Sequence, residues 1–463
     1  MPKNVLIANR GEIACRIQST CKRLGIATVA VYSDADADAP HVKAAERSVR
    51  LGPPPVKESY LDVAAILEAA RATGADAIHP GYGLLSENAA FAAAVRSAGL
   101  IFIGPPAAAL EAFGDKIKAR GVARSVGALP PPGTDGPVAP DDGALTAEAE
   151  RIGYPILVKA AGGGGGIGMQ VVDAPAKLLR AVQACSDRGR SAFSDERVYM
   201  ERYVASPKHI EVQIVADDHG HTIALGEREC SLQRRHQKIV EEAPSPAAFF
   251  EGTEGEIRRR AVWDAAVRVV SAVGYRGAGT VEFVASPTGE LFFLEVNARL
   301  QVEHCVTEMV TRLDLVEQQL RVADGQPLTG EAITPERRGH AIEARLYAED
   351  PKKRFAPQPG LLEVLRWPAA GPDLRIETGV TEGMSVTPFY DPMIAKVVAH
   401  GATRAEAIAR LDRALEGTSI TLVGPAGPSQ TNLAFLRAIL ATETFAVGQY
   451  DTSYAEVFAK TFV

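Results

Sequence analysis

The feature that most restricts the fold is the succession of short apolar runs and helix-length amphipathic segments over residues 1–114. KNVLIA precedes EIACRIQSTCKRL, ATVAVYS precedes YLDVAAILEAARATG, ADAIH precedes a helix opening at Asn88, and LIFIG closes the series. Strands separated by helices of this length predict right-handed β-α-β units around a parallel sheet, an α/β architecture. A dinucleotide often binds at the first turn of such a sheet. Here that turn reads Asn9-Arg10-Gly11-Glu12 and lacks G-x-G-x-x-G, so no close backbone approach to a pyrophosphate is provided and nicotinamide binding is not expected.

At 463 residues the chain exceeds one ordinary core, and about 150 residues per domain predicts roughly three. The pattern changes at Asp115: a helix around Lys116, a stiff boundary at Pro130-Pro131-Pro132, the strand ILVKAA and a run of glycines. From about Val204 to Pro335 the chain is strand-rich, with HIEVQIVA, TIALGE, GTVEFVA and ELFFLEVNARLQV. From Glu336 it opens on the strand HAIEARLYA and closes on two amphipathic helices, TRAEAIARLDRALEG and QTNLAFLRAIL. The 46% apolar and 23% charged content fits a globular α/β enzyme. A net charge of −7, from 50 basic and 57 acidic residues interspersed in sign, offers no positive field to a phosphate backbone, so nucleic acid is not an expected partner. The apolar stretch Val5–Ala8 is too short for a signal peptide or a span, which predicts a cytoplasmic protein without membrane association. Cys15, Cys21, Cys185, Cys230 and Cys305 have neither C-x-x-C nor zinc-site spacing, so no disulfide scaffold or structural metal is expected, and Cys15 and Cys21 are read as buried thiols.

Three constellations carry chemistry. Gly162 to Gly166, with Gly168, lie between the strands ILVKAA and MQVV. Consecutive glycines are costly to order. They suit either a flexible hairpin tip or a flap whose backbone N–H groups approach phosphate, and Lys159 just upstream favours the flap. The run SLQRRHQK concentrates Arg234, Arg235, His236 and Lys238, a phosphate-binding set or a solvated basic patch, with Glu241 and Glu242 close enough in sequence to neutralise it. Finally, in EVNARLQVEH the odd positions Glu295, Asn297, Arg299, Gln301 and Glu303 are polar while those between them, up to Val302, are apolar. On one strand these would form a row about 27 Å long, facing either water or a site. Glu282, in the preceding strand and joined through the turn Pro287-Thr288-Gly289, would stand beside Glu295 or Asn297 in a hairpin. Two carboxylates and an amide oxygen are a hard-oxygen set suited to Mg²⁺, and an arginine, a glutamine and a glutamate follow as an anion clamp and a base.

Over nearly its whole length the chain resembles biotin carboxylase subunits and the corresponding domains of biotin-dependent carboxylases. The resemblance is carried by NRGEIACRI, HPGYGLLSEN, the helix with Lys116, the glycine run, ERECSLQRRHQKIVEEAPSP, EVNARLQVEH and FYDPMIAKV. It implies an ATP-grasp fold: an N-terminal Rossmann-like domain over 1–114, an ATP-grasp domain over 115–335 with a lid at about 131–203, and a mixed α/β domain over 336–463. Lys116 and Lys159 look like phosphate lysines, and Gly163, Gly164, Gly165, Gly166 and Gly168 like the flap above them. Glu201 and Val204 resemble the adenine contacts, and His209, Gln233 and His236 lie on the ribose and phosphate side. Glu282, Glu295 and Asn297 match the Mg²⁺ (or Mn²⁺) ligands. Lys238, Arg299, Gln301 and Val302 match the bicarbonate pocket, Glu303 the general base, and Arg345 the arginine near biotin.

The implied activity is MgATP- and bicarbonate-dependent carboxylation of biotin, the first half-reaction of an acetyl-CoA or other acyl-CoA carboxylase. The implied partners are a biotin carboxyl carrier protein and a carboxyltransferase subunit, and the expected oligomer is a homodimer. No Met-Lys-Met biotinylation motif occurs, so the carrier is expected on another polypeptide. Urea or pyruvate carboxylase components, another ATP-grasp ligase, and an inactive nucleotide-binding scaffold are the competing readings. Two positions depart from the family: Ile167 replaces a common flap arginine, and Cys305 a proline after QVEH. Cys230 is read as structural.

Overall fold

The computed structural model of the chain describes residues 1–140, 143–162, 166 and 168–462. The N-terminal strands β1 (Asn4–Ile7), β2 (Ala27–Ser33), β3 (Arg47–Gly52), β4 (Ala77–His79) and β5 (Ile101–Phe102) form a parallel sheet in the order β3-β2-β1-β4-β5. Val5, Leu6 and Ile7 are fully buried, as a parallel strand covered on both faces requires. The edge strand β3 is not among the strands expected from sequence, because its largely exposed RSVRLG lacks an apolar run. Asn88 caps the helix Ala89–Ser97 by accepting from Phe91 N–H, as its position before the apolar pattern predicts. In the turn after β1, the Asn9 amide donates to Pro80 and Tyr82 carbonyls at 2.7 and 2.8 Å, so a side chain bridges the loops there.

The glycine run joins β6 (Ile156–Ala160) to β7 (Met169–Val172); these and β8 (Val198–Arg202) make a small antiparallel sheet. Ile156, Val158, Val172, Val182 and Met200 give it a core of its own with the helices Leu145–Ile152 and Leu178–Phe193. It is thus a separately cored layer.

The large sheet contains β9 (Lys208–Ala216), β10 (Thr222–Arg234), β11 (Gln237–Ala243), β12 (Gly277–Ala285), β13 (Leu291–Asn297) and β14 (His340–Tyr347). Its order is β13-β12-β9-β10-β11-β14, continued by the strands Met393–Gly401 and Leu374–Thr378. The sheet runs without a break past residue 336, since β11 pairs with β14 (Val240 opposite Ala344) and Ile239 and Val240 share a core with Ile342 and Leu346.

One expected strand is shorter than its sequence pattern. β13 ends at Asn297, residues 298–303 form an irregular turn, and the helix His304–Thr311 follows. The single row of side chains expected from Glu295 to Glu303 therefore does not form on a strand. The pairing of β12 with β13 stops at Thr280 opposite Asn297, after which the backbone leaves the sheet. Arg299 then donates to Leu300 O at 3.2 Å and Asn297 Oδ1 at 3.0 Å, contacts that fold the chain back on itself. Leu300 is buried in the N-terminal core.

Among the described residues no helix is long and apolar enough to cross a membrane. The C-terminal region touches the N-terminal one at Gly379, where a Cβ would overlap the Glu12 amide nitrogen and the Gly11 carbonyl carbon. Gly379→Ala is expected to destabilise the chain by about 1–3 kcal/mol through overpacking. Urea denaturation measures this, and an unchanged midpoint would contradict the close approach.

Candidate active site

A cavity of about 510 Å³ lies between the small sheet and the large one. The lid side supplies Lys159, Gly166, Glu201 and Val204, and the helix Lys116–Ser125 supplies Lys116 at its first residue. The large sheet supplies His209, Gln233, His236, Lys238, Glu282 and Glu295, and β14 supplies Arg345. Asn297, Arg299, Gln301, Val302 and Glu303 complete the wall. Although the strand ends early, the turn delivers its polar residues to the same centre.

Lys238 organises the floor. Its ammonium donates to Glu211 at 2.5 Å, to Glu303 at 2.6 Å and to Glu282 at 3.0 Å. Burial opposes the charge, yet the three carboxylates hold the Lys238 pKa well above the ordinary lysine value. Glu282 stands directly opposite Glu295, and its Oε1 also accepts from Asn297 Nδ2 at 2.8 Å and Gln301 Nε2 at 2.9 Å. Cross-strand partners share a face, so these carboxylates and the Asn297 amide are set for a hard divalent cation, and the donor chemistry fits Mg²⁺. In this structure Glu295 pairs with Lys116, and Asn297 Oδ1 accepts from Arg299. Lysine and acid thus satisfy one another in this structure.

The lid lysine behaves likewise. Lys159, 3% exposed, donates to Glu201 at 3.0 Å, and Glu201 also accepts from Arg120 at 2.6 Å. The Glu201 side chain is thus committed to ion pairs. Gly166 lies against His236, where a Cβ would overlap the imidazole ring. Gly168 is absent from the cavity wall and instead closes the β6–β7 hairpin, its carbonyl accepting from Ala160 N–H at 2.9 Å. Gly163, Gly164 and Gly165, like Ile167, lie outside the described residues.

The basic run forms the tip of the β10–β11 hairpin, with Arg235 and His236 at positive φ. Arg234 turns away from the cavity to pair with Glu349 and lie over Tyr347 and Phe355. Glu241 and Glu242 do not neutralise the run: Glu241 pairs with Arg345, and Glu242 with His340 and Arg404 at 2.6 Å each. Gln233 donates to His209 Nδ1 at 2.7 Å, while His209 Nε2 lies 2.9 Å from Glu282. Burial lowers the His209 pKa, but Glu282 outweighs it and the net direction is up.

Three groups at the site, Arg228, Glu211 and Glu87, are not picked out from sequence. Arg228 is fully buried and donates to Glu211, Gln213, Thr307, Thr280 and Gln301, using all five N–H groups of the guanidinium. It fixes the Gln301 oxygen, and so turns the Gln301 NH₂ toward Glu282. Glu211 faces the site one strand over, opposite Glu282 in the β9–β12 register, and polar alternation in HIEVQIVA was the signal for it. Glu87 accepts from Arg299 Nε at 2.8 Å, and Glu241 backs Arg345. Cys21, Cys185, Cys230 and Cys305 are buried, whereas Cys15 is only partly so. Burial raises the Cys230 thiol pKa well above its ordinary value, which suits a structural role.

Glu303 accepts from Lys238 at 2.6 Å and from Arg345 at 2.9 Å. Burial alone pushes its pKa up, but Lys238, Arg345 and Arg228 outweigh it and hold the carboxyl below the usual range. Arg299, Val302 and Arg345 also line a second cavity of about 530 Å³, walled by Tyr82, Tyr347, Phe389 and Met393 among others, so the two spaces meet at the turn.

Residues 1–110 match the biotin carboxylase N-terminal domain, 115–331 the ATP-binding domain of the carbamoyl-phosphate synthase L chain, and 343–457 the biotin carboxylase C-terminal domain. A biotin carboxylase of Halalkalibacterium halodurans is 47% identical over 98% of this chain and 97% of its own. The chain belongs to the biotin carboxylase family. The propionyl-CoA carboxylase alpha chain of Ruegeria pomeroyi is 44% identical over 100% of this chain and 69% of its own length. Among solved biotin carboxylases, the Campylobacter jejuni enzyme superimposes with a TM-score of 0.92 at 40% identity, covering 99% of each chain. The biotin carboxylase domain dimer of Hydrogenobacter thermophilus 2-oxoglutarate carboxylase, in complex with MgADP, ADP and bicarbonate, gives a TM-score of 0.92 at 39% identity over 100% of this chain and 99% of its own.

A carboxyl held low by its neighbours adds stability that is present above its unfolded pKa of about 4.3 and lost as pH falls below it. Glu303→Gln is therefore expected to be less stable than the parent at pH 7, by up to about 3 kcal/mol as Lys238 and Arg345 lose a partner. The gap should narrow as pH falls below about 5, because the unfolded parent's carboxyl takes up a proton while the folded one stays ionised. Urea titrations across that range check it, and a constant gap would contradict the ion pairing.

Proposed function

We propose that the chain carboxylates biotin on a carrier protein, using ATP and bicarbonate, with the turn 298–303 as the catalytic element. The observation that carries the assignment is that this turn brings Glu303, Gln301 and Arg299 together with Lys238 and Arg345 where two cavities meet. One cavity holds the phosphate-binding lysines and the paired acids; the other has room for a ring.

In this reading Lys116, Lys159 and the backbone of the glycine run hold the ATP phosphates, and Glu282, Glu295 and Asn297 hold Mg²⁺. When bound, the cation neutralises phosphate charge. Bicarbonate takes donors from Lys238 and Arg299, and its arrival competes with Glu303 for Lys238. Glu303 loses one of its two cationic donors and gains proton affinity, which makes it a base at the moment substrate is present. It removes the bicarbonate proton, the freed oxygen attacks the γ-phosphorus, and ADP leaves with the bridging electron pair. The resulting carboxyphosphate breaks into CO₂ and phosphate beneath a closed lid that excludes water. The phosphate takes the ureido N–H proton of biotin, the nitrogen attacks CO₂, and Arg345 stabilises the enolate-like ureido oxygen.

Named relatives that carboxylate propionyl-CoA and methylcrotonoyl-CoA favour an acyl-CoA carboxylase as the parent assembly, with a carrier protein and a carboxyltransferase as partners. The dimeric Hydrogenobacter domain favours a homodimer. A cytoplasmic location fits the sequence reading.

The test is phosphate release from ATP with and without bicarbonate and free biotin. Biotin should accelerate release only when bicarbonate is present, and Glu303→Gln should lower the rate by about 10²-fold or more. Bicarbonate-dependent release indifferent to biotin would favour another ATP-grasp ligase, and full activity in Glu303→Gln would remove this residue as base.

A further inference from the structure

Behind the catalytic turn lies a cation that none of the roles above uses. Lys396, in the strand Met393–Gly401, stands opposite Arg345 in the β14 register and is fully buried. Its ammonium donates to Val302 O at 2.7 Å and to Cys305 Sγ at 3.3 Å, and lies 3.1 Å from Glu12 Oε1. Glu12 accepts in turn from the Tyr82 hydroxyl. The three elements come from distant parts of the chain: the first turn of helix Gly11–Arg23, the turn after β13, and the C-terminal region.

A buried ammonium is expensive to desolvate, and a methionine of similar length would fill the same space without that cost. Packing alone is therefore a poor account of Lys396. What the charge adds is a grip on one carbonyl. Val302 lies between Gln301 and Glu303 and lines both cavities. Because a peptide unit is planar, fixing the Val302 carbonyl fixes the direction of the Glu303 N–H and the position of the Glu303 Cα. Cys305 supplies a sulfur acceptor at the start of the following helix, so Lys396 holds both ends of the segment that carries Glu303.

We propose that Lys396 is a positioning residue for the bicarbonate pocket, clamping the 302–305 segment from behind. Through Glu12 and Tyr82 it ties that segment to the wall of the second cavity. The inference rests on the reading that this turn receives bicarbonate. Lys396 does not touch substrate. Its loss loosens the geometry of one pocket and leaves Lys116, Lys159 and the nucleotide side of the site in place.

The experiment is steady-state kinetics of biotin-dependent phosphate release for the full chain and Lys396→Met. KM for bicarbonate should rise about tenfold or more, the effect of losing one hydrogen bond to a charged group. KM for ATP should stay within about twofold of the parent. Because the single variant strands Glu12 as an unpaired buried carboxylate, Lys396→Met/Glu12→Gln removes both charges and protects the fold while the Val302 anchor stays absent. The same selective rise is expected there. An unchanged KM for bicarbonate in either folded variant, or equal rises for ATP and bicarbonate, overturns the proposal. If neither variant yields folded chain, Lys396 is a core strut and the proposal also falls. A parent that lacks bicarbonate-dependent turnover would instead overturn the functional reading on which it rests.

Discussion

An ammonium surrounded by three buried carboxylates persists only where every charge has a partner, and Lys238 meets that condition with Glu211, Glu282 and Glu303. Removing one member of such a set strands the others at a cost of about 3–5 kcal/mol for a buried pair. The set fixes the strand carrying Glu282, the turn carrying Glu303 and the hairpin carrying Lys238 relative to one another. Arg228 locks it from below with five hydrogen bonds, and Arg345 from the side through Glu303 and Glu241. Positive and negative groups are thus stored against each other at the floor of the cavity.

The large sheet makes this possible. Glu211 on β9, Glu282 on β12 and Glu295 on β13 are register partners across three adjacent strands, so their side chains share one face. Lys238 and Arg345 reach the same face from β11 and β14, which places charged groups from both sides of residue 336 on one support. The small sheet contributes from above with Lys159 and Gly166. Under the proposed function, turnover would be an exchange of partners: phosphate for Glu295 at Lys116, bicarbonate for Glu303 at Lys238. Little side-chain travel is needed, which keeps the site preorganised.

Much of this was legible in the sequence, for physical reasons. A place for Glu282 beside Glu295 or Asn297 follows from period-two alternation and a short turn between the strands, and the structure sets Glu282 directly opposite Glu295. The end of β13 at Asn297 is not legible, because the alternation of polar and apolar residues continues through Glu303 after the backbone has left the sheet. Such a pattern reports which side chains face the site, whether the support is a strand or a turn. Arg228 and Glu211 escaped notice because a charged residue in an alternating strand ordinarily marks a solvated face, and only the tertiary fold shows that this face is covered. Lys396 was hidden by the same rule, and Arg234 was over-read because charge alone does not reveal that it turns toward Glu349. The edge strand β3 has no apolar run to betray it.

The central claim is that the acids of β12 and β13 and the turn 298–303 serve one centre, with cation and bicarbonate side by side. Electron–nuclear double resonance with Mn²⁺ in place of Mg²⁺, ADP, and ¹³C-bicarbonate tests this in solution. A resolved ¹³C coupling to the manganese is expected in the parent chain and should vanish in Arg299→Ala, while nucleotide-bound Mn²⁺ persists. Tight Mn²⁺ and nucleotide binding with no ¹³C coupling in the parent would place bicarbonate elsewhere and contradict the shared centre.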